Sequence, residues 1–65
     1  MKSPVREGDI IDEKCIAIGK KGDGIFKKEG FVIIVPDAQE GREYQIKITK
    51  VNEKVAFGEI LQEIA

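Results

Sequence analysis

The chain has 65 residues, 42% of them hydrophobic and 35% charged, with a net charge of −1, no histidine and one cysteine. That length holds one small domain, and no apolar run reaches the roughly 18 residues of a membrane-spanning helix. Histidine-dependent catalysis, His metal sites, an internal disulfide and a multi-cysteine zinc site are all excluded.

Residues 1–4 read as a leader, and the domain core runs from about residue 5 to about residue 60. Pro4 argues against a helix there, and the N-terminus lacks the apolar region of a signal peptide. Residues 10–18 lie between Gly8 and Gly19 and are rich in Ile, which favours a strand. Asp12 and Lys14 interrupt its alternation, so an exposed end or a bulge is expected. Cys15 sits in the apolar run Cys15-Ile16-Ala17-Ile18 and reads as a small buried hydrophobe rather than a nucleophile. A free thiol without a secretion signal suggests a reducing, cytoplasmic setting.

Gly19-Lys20-Lys21-Gly22-Asp23-Gly24 reads as a turn. Gly22, Gly24 and Gly30 are read as turn positions with positive φ. No Gly-Lys-Ser/Thr leads into a helix, so the segment is not a P-loop. Residues 25–28 form a short strand, Glu29-Gly30 reverses the chain, and Phe31-Val32-Ile33-Ile34-Val35 is the clearest strand, ended by Pro36. If Ile25 is core, Phe26 points outward among lysines. If Val32 and Ile34 are core, Phe31 and Ile33 face out; Phe31 in the core is the equal alternative. A wholly apolar strand implies that both its faces meet something other than water.

Residues 37–41 form a polar loop. Tyr44, Ile46 and Ile48 alternate with Gln45, Lys47 and Thr49, a half-buried strand with Lys47 exposed and the Tyr44 hydroxyl at the rim. A turn at residues 52–54 leads to a last strand over residues 55–61, in which Phe57 reads as core with base stacking as the alternative. The stretch 59–65 has good helix formers but is too short to change the class. Five short strands without a confident helix predict an all-β protein, a small five-stranded antiparallel barrel that hides its edges.

The segments Val5-Arg6-Glu7-Gly8-Asp9, Gly22-Asp23-Gly24-Ile25 with Lys27, Gly30 through Pro36, Lys47-Ile48-Thr49-Lys50-Val51 and Ala56-Phe57-Gly58-Glu59 stand in the order of the TRAM domain, and the chain resembles that family. The resemblance covers about residues 5–60. It implies an OB-fold-like barrel that binds RNA, and it is similar to the short free-standing archaeal members that act as cold-shock-like RNA chaperones. Ile34 and Val55 stand where many members carry an aromatic ring, which reduces the stacking surface expected.

Two locally basic stretches lie within the near-neutral total: residues 20–28, with Lys20, Lys21, Lys27 and Lys28, and residues 42–54, with Arg42, Lys47, Lys50 and Lys54. A binder of single-stranded RNA needs such a basic track with aromatic platforms. Phe26, Phe31 and Phe57 are the candidate platforms; Lys27, Arg42 and Lys47 lead for phosphate contact, with Lys20, Lys21, Lys50 and Lys54 beside them. The expectation is a monomeric, cofactor-free, cytoplasmic module for single-stranded or structured RNA of low sequence specificity. The alternative is a protein-interaction domain docking through strand 31–35 or a sheet edge. Nothing marks a pair of carboxylates held in a cleft, so an enzyme is not expected.

Overall fold

A computed structural model describes residues 4–64. Six strands form one sheet: β1 (Ile10–Lys14), β2 (Ala17–Ile18), β3 (Gly24–Lys28), β4 (Phe31–Val35), β5 (Glu43–Val51) and β6 (Val55–Ile64). Their order across the sheet is β1-β5-β6-β4-β3-β2. All pairs are antiparallel except β4 with β6. The two outermost strands are successive pieces of one segment. At Cys15 and Ile16 the chain leaves β5 for β3: the Cys15 amide donates to Arg42 O at 2.9 Å and the Ile16 amide to Ile25 O at 2.9 Å. The single strand expected over residues 10–18 is thus split in two, and the bend brings the edges of the curled sheet together. Counted as one strand, the segment gives five strands in a curled, barrel-like sheet, which departs from the antiparallel barrel expected only in the parallel pairing of β4 with β6.

The hairpin between β3 and β4 turns on two residues of positive φ, Glu29 (51°) and Gly30 (83°), and this fixes the register. A two-residue turn of that kind matches the twist of the flanking strands. Phe26 therefore pairs with Ile33, and Ile25 with Ile34. Both pairs are apolar, so local alternation does not say which one faces the core. Phe26, Ile33 and Val35 are fully buried with Ile46, Ile48, Ala56 and Cys15, while Ile25, Val32 and Ile34 lie half-buried on the outer face. The parity expected for residues 25–35 is reversed. Phe26 is the larger apolar group, and burying it removes more surface from water.

Gly22 has the expected positive φ of 89°, as Gly30 does. Gly24 does not; it is required for packing, because a Cβ there would run into the Ala38 side chain and lie 3.2 Å from Cys15 Sγ. The last strand extends past its expected end, pairing Glu63 with Tyr44 and Ile64 with Glu43, so the competing helix over 59–65 does not form in the described residues. Of the leader, residues 1–3 lie outside the described residues, as does Ala65. Val5 is buried, and residues 8–9 are tied to β5 through Gly8 N to Ile48 O at 2.7 Å and Ile48 N to Asp9 O at 2.8 Å.

Candidate nucleic-acid interface

The outer face of β3, β4 and β6 carries an apolar band. The register lines up Ile25, Ile34 and Phe57 in one row across the sheet, with Val32 and Val55 in the next. All five are half-buried. Their neighbours of opposite parity, Phe26, Ile33 and Ala56, fill the core. The wholly apolar strand thus has one face in the core and one in this band. A contiguous half-exposed apolar patch of this kind is a mark of a binding surface.

One side of the band is walled by the glycine-rich turn. The Gly19 amide donates to Asp23 O at 2.8 Å and the Gly22 amide to Gly19 O at 3.0 Å, which folds the turn back on itself. Gly19, Lys20, Lys21, Asp23, Ile25, Ile34 and Phe57 then line a shallow, open depression of about 330 Å³. On the other side of Phe57 stands Lys50, its partner in the β5–β6 register. A bulge between Ile48 and Lys50 lets both Thr49 and Lys50 face solvent, and the Thr49 hydroxyl donates to Phe57 O at 3.2 Å. Lys27 is exposed in the row of Val32 and Val55. Lys20 and Lys21 thus line the depression beside Phe57 and Lys50 pairs with it across the strands, with Lys27 one row away, against the carboxylates of Asp23 and of Glu59, which stands two residues along the same face of β6. The face is locally cationic although the chain is not.

The remaining candidates fall elsewhere. Lys47 is exposed on β5, but Glu59 faces it across the strand pair. Lys54 is exposed in the turn before β6. Arg42 lies at the opposite end of β5 from Lys50, held by Glu63 at 2.7 Å. That hydrogen bond, and then the Glu63 charge, raise the Arg42 pKa above its ordinary value. Lys28 bridges from β3 to Glu13 of β1 at 3.3 Å, across the seam where the sheet edges meet.

Of the three phenylalanines only Phe57 borders the depression, as a half-buried ring rather than the core residue expected. Phe26 is 0% exposed, so the outward platform expected of it is corrected: it is a core side chain. Phe31 is partly buried and packs against the core cluster. Tyr44 is buried as expected, and its hydroxyl accepts the Gln39 amide at 2.9 Å. Strand β4 lies between β3 and β6, so its backbone offers no free edge for an added strand. Ile25, Ile34 and Asp23 line the depression without having been expected there from the sequence. The Glu29-Gly30 turn was the signal available: it implied that Ile25 and Ile34 are neighbours on one face, whichever face that was.

Among the described residues, no group of three or more His, Cys, Asp or Glu is placed to hold a metal ion, and no helix is long and apolar enough to cross a membrane. What the site can do is present one ring and two aliphatic side chains to a flat π-face while nearby ammonium groups meet a polyanion. Stacking of a base on an aromatic ring is worth about 1–3 kcal/mol and tolerates any base.

The chain is similar to known proteins in sequence and in fold. The TRAM domain model matches residues 7–61. An uncharacterized protein of Methanocaldococcus jannaschii is 45% identical over 56 residues, covering 86% of this chain and 73% of that protein. A ribosomal RNA large subunit methyltransferase E of Methanothrix thermoacetophila is 39% identical over 64 residues, and this chain spans 25% of its length. The solution structure of a conserved protein of Methanococcus maripaludis superposes with a TM-score of 0.88 at 40% identity, covering 92% of this chain and 86% of that one.

Proposed function

The chain belongs to the TRAM domain family, and we propose that it is an RNA-binding module acting on unpaired strands. The observation that carries this reading is Phe57: a half-buried ring on an outer sheet face, with Lys20, Lys21 and Lys50 beside it and Lys27 one row away. A duplex hides its base faces in the stack, whereas a single strand can splay a base onto the ring. The ribosomal RNA named for the methyltransferase relative fits an RNA ligand. The part shared with that enzyme is 25% of the enzyme's length, and we read that shared part as one that binds RNA.

The module works by mass action, as a cold-shock-like chaperone. Holding the open form of an RNA shifts the equilibrium away from its folded forms, without cofactor or hydrolysis. One copy of the chain suffices, and the buried free thiol of Cys15 fits a reducing cytoplasm. With four lysines near the ring and a net charge of −1, binding is weak and tolerant of sequence overall.

The test is fluorescence anisotropy of a labelled single-stranded RNA and its matching duplex at low and physiological salt. The single strand is expected to bind more tightly. Its affinity should fall with salt, with a log–log slope of about −3 if each of the four lysines meets a phosphate, at about −0.7 per contact. Folded protein that binds neither RNA at low salt overturns the reading.

A further inference from the structure

The depression beside Phe57 carries more information than a stacking ring, because one of the residues that line it, Asp23, bears a carboxylate. Resting on the RNA-binding reading above, we propose that it receives one unpaired guanine of a single-stranded RNA, with the Asp23 carboxylate reading the base edge. The floor of Phe57, Ile25 and Ile34 is apolar and meets any base through its face. Base choice therefore falls to the polar lining, which consists of the turn itself: Gly19, Lys20, Lys21 and Asp23.

Lys20 and Lys21 are exposed on that turn and are donors only, suited to the phosphates on either side of a stacked base. Asp23 differs from them. It is half-buried, its backbone oxygen is fixed by the Gly19 amide at 2.8 Å, and its carboxylate forms no hydrogen bond or ion pair with another described residue. An ionised carboxylate accepts and cannot donate. It repels phosphate and selects a group that presents N–H donors.

The four bases differ on this point. The Watson–Crick edge of guanine places two donors side by side, the ring N1–H and the N2 amino group, which match the two carboxylate oxygens. Uracil offers one donor between two carbonyl acceptors. Adenine and cytosine set a ring-nitrogen acceptor next to their amino group, which faces a carboxylate with repulsion. Paired, charge-assisted hydrogen bonds are the strong ones. The size agrees with one base rather than a run, since about 330 Å³ is near the lower end for ligand pockets.

The probe is a short labelled uridine oligomer, compared with versions carrying one central guanosine, inosine or adenosine, by anisotropy at fixed salt. The guanosine oligomer is expected to bind about fivefold more tightly than the all-uridine one, the lower end for one two-point base contact. Inosine, which lacks the N2 amino group, should lose most of that gain, and adenosine should show none. Asp23→Asn should remove the guanine preference. Because it also deletes a negative charge, it should tighten binding of the all-uridine oligomer, so the two readouts move in opposite directions. Thermal melting monitors the fold of the variant. Free GMP, with a single phosphate, should compete only at far higher concentration.

Equal affinity for all four oligomers overturns the guanine site while leaving RNA binding in place. A guanine preference that survives Asp23→Asn overturns the role of Asp23. GMP binding as tightly as the oligomer overturns the placement within a strand. Binding to none of the oligomers overturns this proposal together with the RNA-binding reading.

Discussion

The rings of Phe26 and Tyr44 meet edge to face, with centroids 6.1 Å apart and planes at 73°. Tyr44 in turn accepts the Gln39 amide at 2.9 Å, so the pair anchors the loop between β4 and β5 to the core. An aromatic at Phe26 is therefore needed for folding. Truncating a buried Phe costs about 3–5 kcal/mol. At about 0.05–0.15 kcal/mol per residue, a chain this short has a total stability of roughly 3–10 kcal/mol. Phe26→Ala should abolish or severely lower the cooperative thermal transition seen by circular dichroism. A variant that melts like the parent would remove Phe26 from the core.

Phe57 behaves in the opposite way. Its ring is half-buried on the outer face, so Phe57→Ala should lower the melting transition much less than Phe26→Ala while weakening RNA binding by about 1–3 kcal/mol, the value of one stacked base. Phe57→Tyr keeps a π-face and should keep most of the affinity. Anisotropy and melting on the same samples separate the two effects.

The lysines differ by position. Lys21→Gln and Lys50→Gln should each lower the magnitude of the salt slope by about 0.7. Arg42→Gln should leave it unchanged, because the guanidinium is held by Glu63 at the far end of β5. Glu59 faces Lys47 in the register, so Glu59→Gln should strengthen binding by relieving its repulsion of the RNA backbone. Titrations at several salt concentrations check all four variants.

Arg42 also bears on pH. Its folded pKa is raised, first by the hydrogen bond to Glu63 and then by that carboxylate's charge. A group with a raised folded pKa contributes stability that is complete below its unfolded pKa and is lost only as pH rises through the folded value. Both lie in the strongly alkaline range of arginine. With no histidine in the chain, melting temperature and RNA affinity should stay flat between about pH 6 and about pH 8. A marked change across that window would implicate another titrating group.

Gly58 is buried on β6 against β5. A Cβ built there would sit 2.6 Å from Ile46 Cγ2 and 3.0 Å from the Lys47 carbonyl oxygen. Gly58→Ala should destabilise by about 1–3 kcal/mol, the usual cost of overpacking a core. Chemical denaturation reads this directly.

Composition and local pattern by themselves determined the class of this protein and the positions of its turns. The β-branched runs mark strands. Glu29-Gly30 marks a reversal, and the alternation of Tyr44, Ile46 and Ile48 with polar residues marks a strand with one wet face. Those signals are local, carried by the steric preferences of single residues and by a period of two. Tertiary structure alone decided which face of β3 and β4 is the core, since Phe26 with Ile33 and Ile25 with Ile34 are equally apolar pairs, and only packing against Tyr44, Ile46 and Ala56 chose between them. That choice took Phe26 out of the surface and left Ile25 and Ile34 on it. It also took pairing between distant strands to set Phe57 between Lys50 and the Gly19–Asp23 turn. A row across a sheet is built from residues far apart in sequence, and no local periodicity encodes it.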